Sequence, residues 1–218
     1  MEWMNDVTKT NLFSGISPAE IPGLLACINA VPVPYKKGDT IIEEGSLVYD
    51  FGVMLSGHGC SFKEEPDGKQ IIITLLKKGS EIGVILAGSE DHRSRVTVQA
   101  QDDVTVLQIP FARLLPRCEK SCPCHERLLR NYIHIVAEKG LVLHERMDCL
   151  LKRSVRKKIL AYLHKLSGET KNQIFVVPLD RQGMAEYLNI ERSALSRELS
   201  RMKRDGLIDY HKSSFKFL

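Results

Sequence analysis

Seven residues impose the strongest constraint on this chain. Leu129, Ile133, Val136, Gly140, Leu143, Met147 and Leu150 recur at intervals of 4, 3, 4, 3, 4 and 3. That is the 3.5-residue repeat that keeps an apolar seam on one side of a helix. A helix lying on its own domain more often carries a broader stripe with a 3.6-residue period. The stretch "HERLLRNYIHIVAEKGLVLHERMDCLL", from His125 to Leu151, is therefore expected to form one long helix. It should pair in parallel with a second copy, with Gly140 in the seam letting two backbones come close.

The sequence before this helix reads as β-rich from about residue 32 to 115. Gly recurs at 38, 45, 57, 59, 68, 79 and 83, close to the spacing of turns between short strands. Between these lie "DTIIEEG", "FGVMLSG", "QIIITLL", "RVTVQA" and "VTVLQIP". "PDGKQ" at 66–70 marks a hairpin, since Asp-Gly tolerates the positive φ of a tight turn. Many short strands with frequent Gly turns imply a sandwich or barrel. Ahead of them, "SPAEIPGLLACI" reads as a short helix capped by Ser17 with Pro18 in its first turn.

After the long helix the charge changes sign. From residue 152 onward 15 Lys or Arg stand against 7 Asp or Glu, and before it 16 stand against 20. A basic tail on a mildly acidic body points to a polyanionic partner for the tail. "SVRKKILAYLHKLSGE" starts with Ser154 and stops at Gly168, both helix boundary signals. "VVPLDRQGMAEYL" supplies a second helix capped by Asp180, "NIE" is a turn, and "RSALSRELSRM" is a third helix. A helix of about eight residues, a three-residue turn and a further helix make a helix-turn-helix. Ala185 and Ile190 occupy its helix contact and its turn, and Leu195, Leu199 and Met202 form the buried stripe of the last helix. That leaves Arg192, Ser193, Ser196 and Arg197 facing outward near its N-terminal end, the end that enters the major groove in this motif. Arg can bond guanine O6 and N7 with two parallel donors, and Ser can serve a base or a phosphate. Arg181, Arg201, Lys203 and Arg204 suit phosphates, and "HKSSFKFL" closes a hairpin wing.

These motifs resemble the Crp-Fnr family of transcription regulators over nearly the full chain. The resemblance is carried by "YKKGDTIIEEG", by "LLKKGSEIG", by the long helix and above all by "LDRQGMAEYLNIERSALSRELSRMKRDGLI". "RSALSR" matches the family's recognition helix at Arg192, Ser196 and Arg197, while Ser193 stands where the family usually has Glu. Asn189 replaces the usual turn glycine, which Asn can do because it tolerates a left-handed backbone. The resemblance implies an α+β architecture of three parts. These are a jelly-roll-like β-roll that senses an effector (1–124), a dimerisation helix (125–151) and a winged helix-turn-helix (152–218). It further implies a homodimer on a palindromic site in double-stranded DNA, with RNA polymerase as a candidate partner and a small molecule as the signal.

The effector is read by difference. Cyclic AMP receptors of the family place Glu after the glycine that corresponds to Gly83, with Arg-Ser or Arg-Ala about ten residues on. Here Val84 follows Gly83, and Arg93, Ser94 and Arg95 remain as candidate ligand groups, so cyclic AMP is disfavoured. An iron–sulfur sensor of the family's N-terminal kind needs several early cysteines, and Cys27 stands alone. Cys118, Cys122, Cys124 and His125 in "CEKSCPCH" leave three readings open: free thiols, a metal or cluster, and a redox input. His58, His92 and Cys60 could ligate haem, but no motif selects them. The β-rich part shows no His/His/Glu set and no nucleophile with a nearby base, which argues against an enzyme. No run of about 18 apolar residues is present, and the start "MEWMNDVTKT" lacks a signal pattern. A cytoplasmic protein without a membrane role is expected.

Overall fold

A computed structural model describes residues 3–65, 68, 70–115, 123–168 and 174–218. The chain divides into two compact units, Met1–Ala137 and Glu138–Leu218. The boundary lies inside the long helix.

The first unit opens with a single helical turn, α1 (Met4–Val7), and then α2 (Ile21–Cys27). Helix α2 starts three residues later than the sequence suggested. Ser17 is not its cap: the Ser17 amide donates to the Glu20 carboxylate at 3.3 Å and Glu20 N–H to the Ser17 carbonyl at 2.9 Å, closing a separate turn. Pro22, not Pro18, sits in the first helical turn, where a missing N–H costs nothing.

Eight strands follow: β1 (Val31–Tyr35), β2 (Thr40–Ile42), β3 (Asp50–Ser56), β4 (His58–Glu64), β5 (Gln70–Lys77), β6 (Glu81–Ile82), β7 (Thr97–Ala100) and β8 (Val104–Pro110). One turn of helix, α3 (Val84–Ala87), interrupts them between β6 and β7. They form two four-stranded antiparallel sheets, ordered β1-β8-β3-β6 and β2-β7-β4-β5. The period-2 rule decides what each face of β3 and β8 meets. Met54, Val104 and Val106 turn inward between the sheets with Leu76, Ile82, Val98 and Ala100. Phe51, Val53, Leu55, Leu107 and Ile109 turn outward onto a second core with α1, α2 and the start of the long helix. Of the expected hairpin at 66–70, Gly68 is left-handed at φ +81° between β4 and β5; Pro66, Asp67 and Lys69 lie outside the described residues.

The long helix, α4 (Pro123–Leu150), is continuous over 28 residues. Cys124, Leu128, Tyr132 and Ile135 form its inner stripe, buried on the β-rich unit. Of the heptad residues, Leu129 and Val136 lean partly on that core. Ile133, Leu143 and Met147 are each more than half exposed, and a side chain at Gly140 would meet nothing within 4 Å.

The second unit continues with α5 (Val155–Ser167), β9 (Phe175–Val176), α6 (Arg181–Leu188), α7 (Arg192–Arg204), β10 (Ile208–His211) and β11 (Ser214–Phe217). Ser154 caps α5, accepting from the Lys157 amide at 3.2 Å, and Gly168 ends it at φ +59°. The three strands form one small sheet, β10-β11-β9. Its hairpin turns at Lys212, itself left-handed at φ +53°.

Gly52 marks a crowded point within the β1-β8-β3-β6 sheet, where β3 lies between β8 and β6. A Cβ there would stand 2.5 Å from Cγ1 of Val106, a stiff β-branched side chain that cannot swing aside. Gly52→Ala should lower the stability measured by urea unfolding by about 1–3 kcal/mol through overpacking. A double-mutant cycle with Val106→Ala should show favourable coupling, because the second change removes the clashing atom.

Candidate nucleic-acid interface

Helix α6 has eight residues, Asn189, Ile190 and Glu191 make the turn, and α7 begins at Arg192. Each junction is held locally. Asp180 caps α6 by accepting from the Gly183 amide at 2.7 Å. Asn189 adopts φ +49°, ψ +61° and sends its N–H back to α6, as a left-handed C-cap does. The Ile190 amide donates to the Ala185 carbonyl at 3.0 Å.

The orientation of α7 is set from behind. Leu195, Leu199 and Met202 are completely buried, in one core with Ile159, Leu163, Met184, Ala185 and Leu188. Arg192, Ser193, Ser196 and Arg197 are exposed on the opposite side. Among the described residues no hydrogen bond or ion pair takes up their side chains. Two guanidinium groups and two hydroxyls thus stand together near the N-terminal end of the helix with their donors open.

The expected phosphate contacts divide. Arg204 is exposed. Arg201 makes a loose ion pair with Glu198 at 3.6 Å. Lys203 pairs with Asp209 at 2.6 Å and lies over the Tyr210 ring, and that pairing holds the Asp209 carboxyl below the ordinary range. Arg181 is placed differently from the others. Its guanidinium lies 4.9 Å from the Tyr210 ring centre and 5.0 Å from that of Phe215, and it donates to the Lys212 carbonyl at 3.0 Å. Burial draws it below the usual value for arginine. Arg181 binds the start of α6 to the wing and is a scaffold residue in this arrangement.

Sequence reasoning did not find Arg156. Its Nε bonds Glu198 at 2.5 Å and its Nη2 bonds Asp205 at 2.8 Å, so one side chain on α5 grips both the middle and the C-cap of α7. The two carboxylates raise its pKa. No local pattern announces such a pairing across about forty residues of sequence.

In the β-rich unit the candidate effector groups are turned to structural use. Gly83 is left-handed at φ +71° and opens α3. Val84 is buried and its carbonyl accepts from the Tyr132 hydroxyl at 2.6 Å. Arg93 Nη1 donates to the Gly45 carbonyl at 2.7 Å, Ser94 is buried with its hydroxyl on the Val96 carbonyl at 2.7 Å, and Arg95 pairs with Asp91 at 2.7 Å. A cleft of about 550 Å³ opens nearby, lined by Ile42, Val48, Phe51, Ile82, Val106 and Gln108 among others, and none of those five residues lines it.

Cys118 and Cys122 lie outside the described residues. Cys124 and His125 are both buried at the start of α4. His125 Nε2 donates to the Leu114 carbonyl at 3.1 Å, and its Nδ1 has no partner among the described residues. Among those residues no three His, Cys, Asp or Glu side chains stand together as a metal site. No described helix is long and apolar enough to cross a membrane.

A β-roll, a long helix with an exposed apolar seam, and a winged helix-turn-helix whose front arginines have no partner among the described residues are the parts of a DNA-binding transcriptional regulator. Comparison with known proteins agrees. Residues 32–121 match the cyclic nucleotide-binding domain family and residues 157–217 the Crp-like helix-turn-helix domain family. The chain is 28% identical over 182 residues to the transcriptional activator protein FnrA of Stutzerimonas stutzeri, spanning 81% of this chain and 72% of that one. It is 26% identical over 184 residues to the nitrogen fixation regulation protein FixK of Bradyrhizobium diazoefficiens, spanning 81% and 73%. The solved structure of the c-di-GMP responsive global regulator CLP of Xanthomonas campestris shares the fold, with a TM-score of 0.59 at 19% identity over 92% of this chain and 99% of that one. The chain belongs to the Crp-Fnr family of transcriptional regulators.

The left-handed turn residue gives a local test of the motif. Asn189→Gly should leave the melting temperature of the second unit nearly unchanged. Asn189→Ala should cost about 1 kcal/mol, because alanine lacks the short polar side chain whose local hydrogen bonding lets Asn tolerate the left-handed conformation; thermal unfolding followed by circular dichroism separates the two.

Proposed function

We propose that the protein acts as a homodimer that reads a palindromic duplex with the exposed face of α7. The observation that carries this reading is the contrast within one helix: Leu195, Leu199 and Met202 are wholly buried while Arg192, Ser193, Ser196 and Arg197 are open. Arg192 and Arg197 would meet base edges in the major groove. Ser193 and Ser196 would meet a base or a phosphate, and Arg201, Lys203 and Arg204 would lie along the backbone. The exposed seam of Ile133, Gly140, Leu143 and Met147 supports pairing of two α4 helices, which would present two recognition helices to half-sites about one helical turn apart. The three parts divide the work: the roll (1–124) receives a small-molecule signal, the helix (125–151) joins two copies and the tail (152–218) binds DNA. The protein works by binding in the cytoplasm and not by catalysis.

Cyclic AMP does not suit the roll. Val84 brings no carboxylate for a ribose, and Arg93 and Arg95 already hold Gly45 and Asp91.

Selection from random duplexes should enrich a palindrome, and Leu143→Glu should convert the dimer to a monomer by sedimentation and abolish that enrichment. Enrichment of no sequence by purified protein, with or without cell extract, would remove sequence-specific regulation. Arg197→Ala should relax base choice at one position in each half-site, at a cost of about 1–3 kcal/mol. Arg204→Ala should weaken binding evenly across sequences and reduce the salt dependence by about one counterion.

A further inference from the structure

The last two turns of α4 are fastened to the DNA-binding unit along one side and bare along the other. On the fastened side Glu145 forms an ion pair with Lys165 of α5. Cys149 is buried in the core that contains Ile159, Tyr162 and Leu163, and burial pushes its thiol up. Between them Arg146 reaches α6: its Nε donates to the Tyr187 carbonyl at 3.2 Å and its Nη2 to the Glu186 carbonyl at 3.4 Å. Its guanidinium also lies over the Tyr187 ring, 5.2 Å from the ring centre. Both carbonyls belong to the last turn of α6, where acceptors outnumber amides and a cation complements the negative end of the helix dipole. On the bare side, Leu143 and Met147 are more than half exposed. Arg146 and Met147 are neighbours in sequence, so their side chains point about 100° apart around the helix. A single turn therefore grips the helix-turn-helix with one residue and offers the dimer seam with the next.

We infer that Arg146 is a positioning residue for DNA recognition: it transmits the geometry of α4 pairing to α6 and so fixes the separation of the two recognition helices. The inference rests on the dimeric DNA-binding reading above. Helices α6 and α7 share one core, so α7 follows α6. A guanidinium with two donors fixes rotation as well as distance, which the point charge of lysine does not. Without that grip, the Glu145–Lys165 pair and Cys149 remain as a pivot on which the motif can rock. Each half-site would still be read, but the distance between half-sites would no longer be enforced, and the advantage of holding two sites at once would fall.

The test runs the wild type, Arg146→Ala and Arg146→Lys through the same selection from random duplexes and scores half-site sequence and half-site spacing separately. The wild type should return one spacing. Arg146→Ala should return the same half-site with several spacings. It should bind the wild-type-spaced duplex about 10-fold more weakly and a single half-site within about twofold of wild type. Arg146→Lys should fall between them. Hydrogen exchange supplies a readout that needs no DNA: amides 143–150 should lose protection in Arg146→Ala while those of α7 keep theirs. A single unchanged spacing with unchanged affinity would overturn the inference, as would equal losses on whole and half duplexes, which mark general damage to the motif. A wild type that selects no duplex would instead remove the DNA-binding reading. Hydrogen exchange would then decide the grip itself, and unchanged protection at 143–150 would overturn it.

Discussion

Everything the protein presents to a partner follows from how α7 is held. Three apolar side chains are wholly buried under it, each contributing roughly 1.5–3 kcal/mol relative to an exposed position, and together they fix the rotation of the helix about its axis. Arg156 then fixes its position along that axis through Glu198 and Asp205. Glu198 lies on the half-hidden flank of α7, its side chain 13% exposed, so the ion pair is shielded more than a surface pair. Even so its energy is modest; its importance is geometric. Once the back and one flank of α7 are committed, the remaining surface is the one that carries Arg192, Ser193, Ser196 and Arg197.

Helix α4 applies the same logic on a larger scale. Cys124, Leu128, Tyr132 and Ile135 give it an inner stripe that joins the roll, while the heptad seam leaves a second stripe on another side. Tyr132 is the inner stripe's most specific element. It packs against Phe51 and Phe111 at ring distances of 5.1 and 5.3 Å and donates to the Val84 carbonyl on α3. A side chain at Gly88 would come within 2.6 Å of its hydroxyl, so the short helix between β6 and β7 is shaped to receive this ring. A displacement of α3 would have to be accommodated at Tyr132, on the same helix whose far end carries Arg146.

The sequence displayed the elements whose signals are local. The heptads, the Ser154 and Asp180 caps, the three-residue turn with Asn189 and the runs that became β2, β3, β5, β7 and β8 could all be read within about a dozen residues. Strand β1, "VPVPY", could not, because Pro32 and Pro34 argue against a ladder. The structure accommodates them by placing β1 at the sheet edge, paired only with β8, where missing donors face no neighbour. Strand β4 failed for the opposite reason. It is central, between β7 and β5, yet "HGCSFKE" holds no β-branched residue and includes Gly59 and Ser61. Arg146, Arg156 and Arg181 were beyond local reading altogether, since each meets partners about thirty to forty residues away.

Residue type alone does not separate a binding surface from a structural one, and the two Arg/Ser clusters of this chain make the reason plain. Arg93, Ser94 and Arg95 in the roll resemble Arg192, Ser193, Ser196 and Arg197 in composition. In the first cluster each side chain also bonds the fold: one guanidinium a carbonyl, the hydroxyl another, the second guanidinium a carboxylate. In the second cluster the apolar stripe behind the helix does the anchoring, and the polar groups in front are left without partners among the described residues. A guanidinium that already bonds protein is held in a direction the fold chooses, whereas open donors backed by a buried stripe can turn to a base edge with no loss of internal structure. Arg192 and Arg197 are therefore placed to act on a partner, while Arg93 and Arg95 also serve the fold.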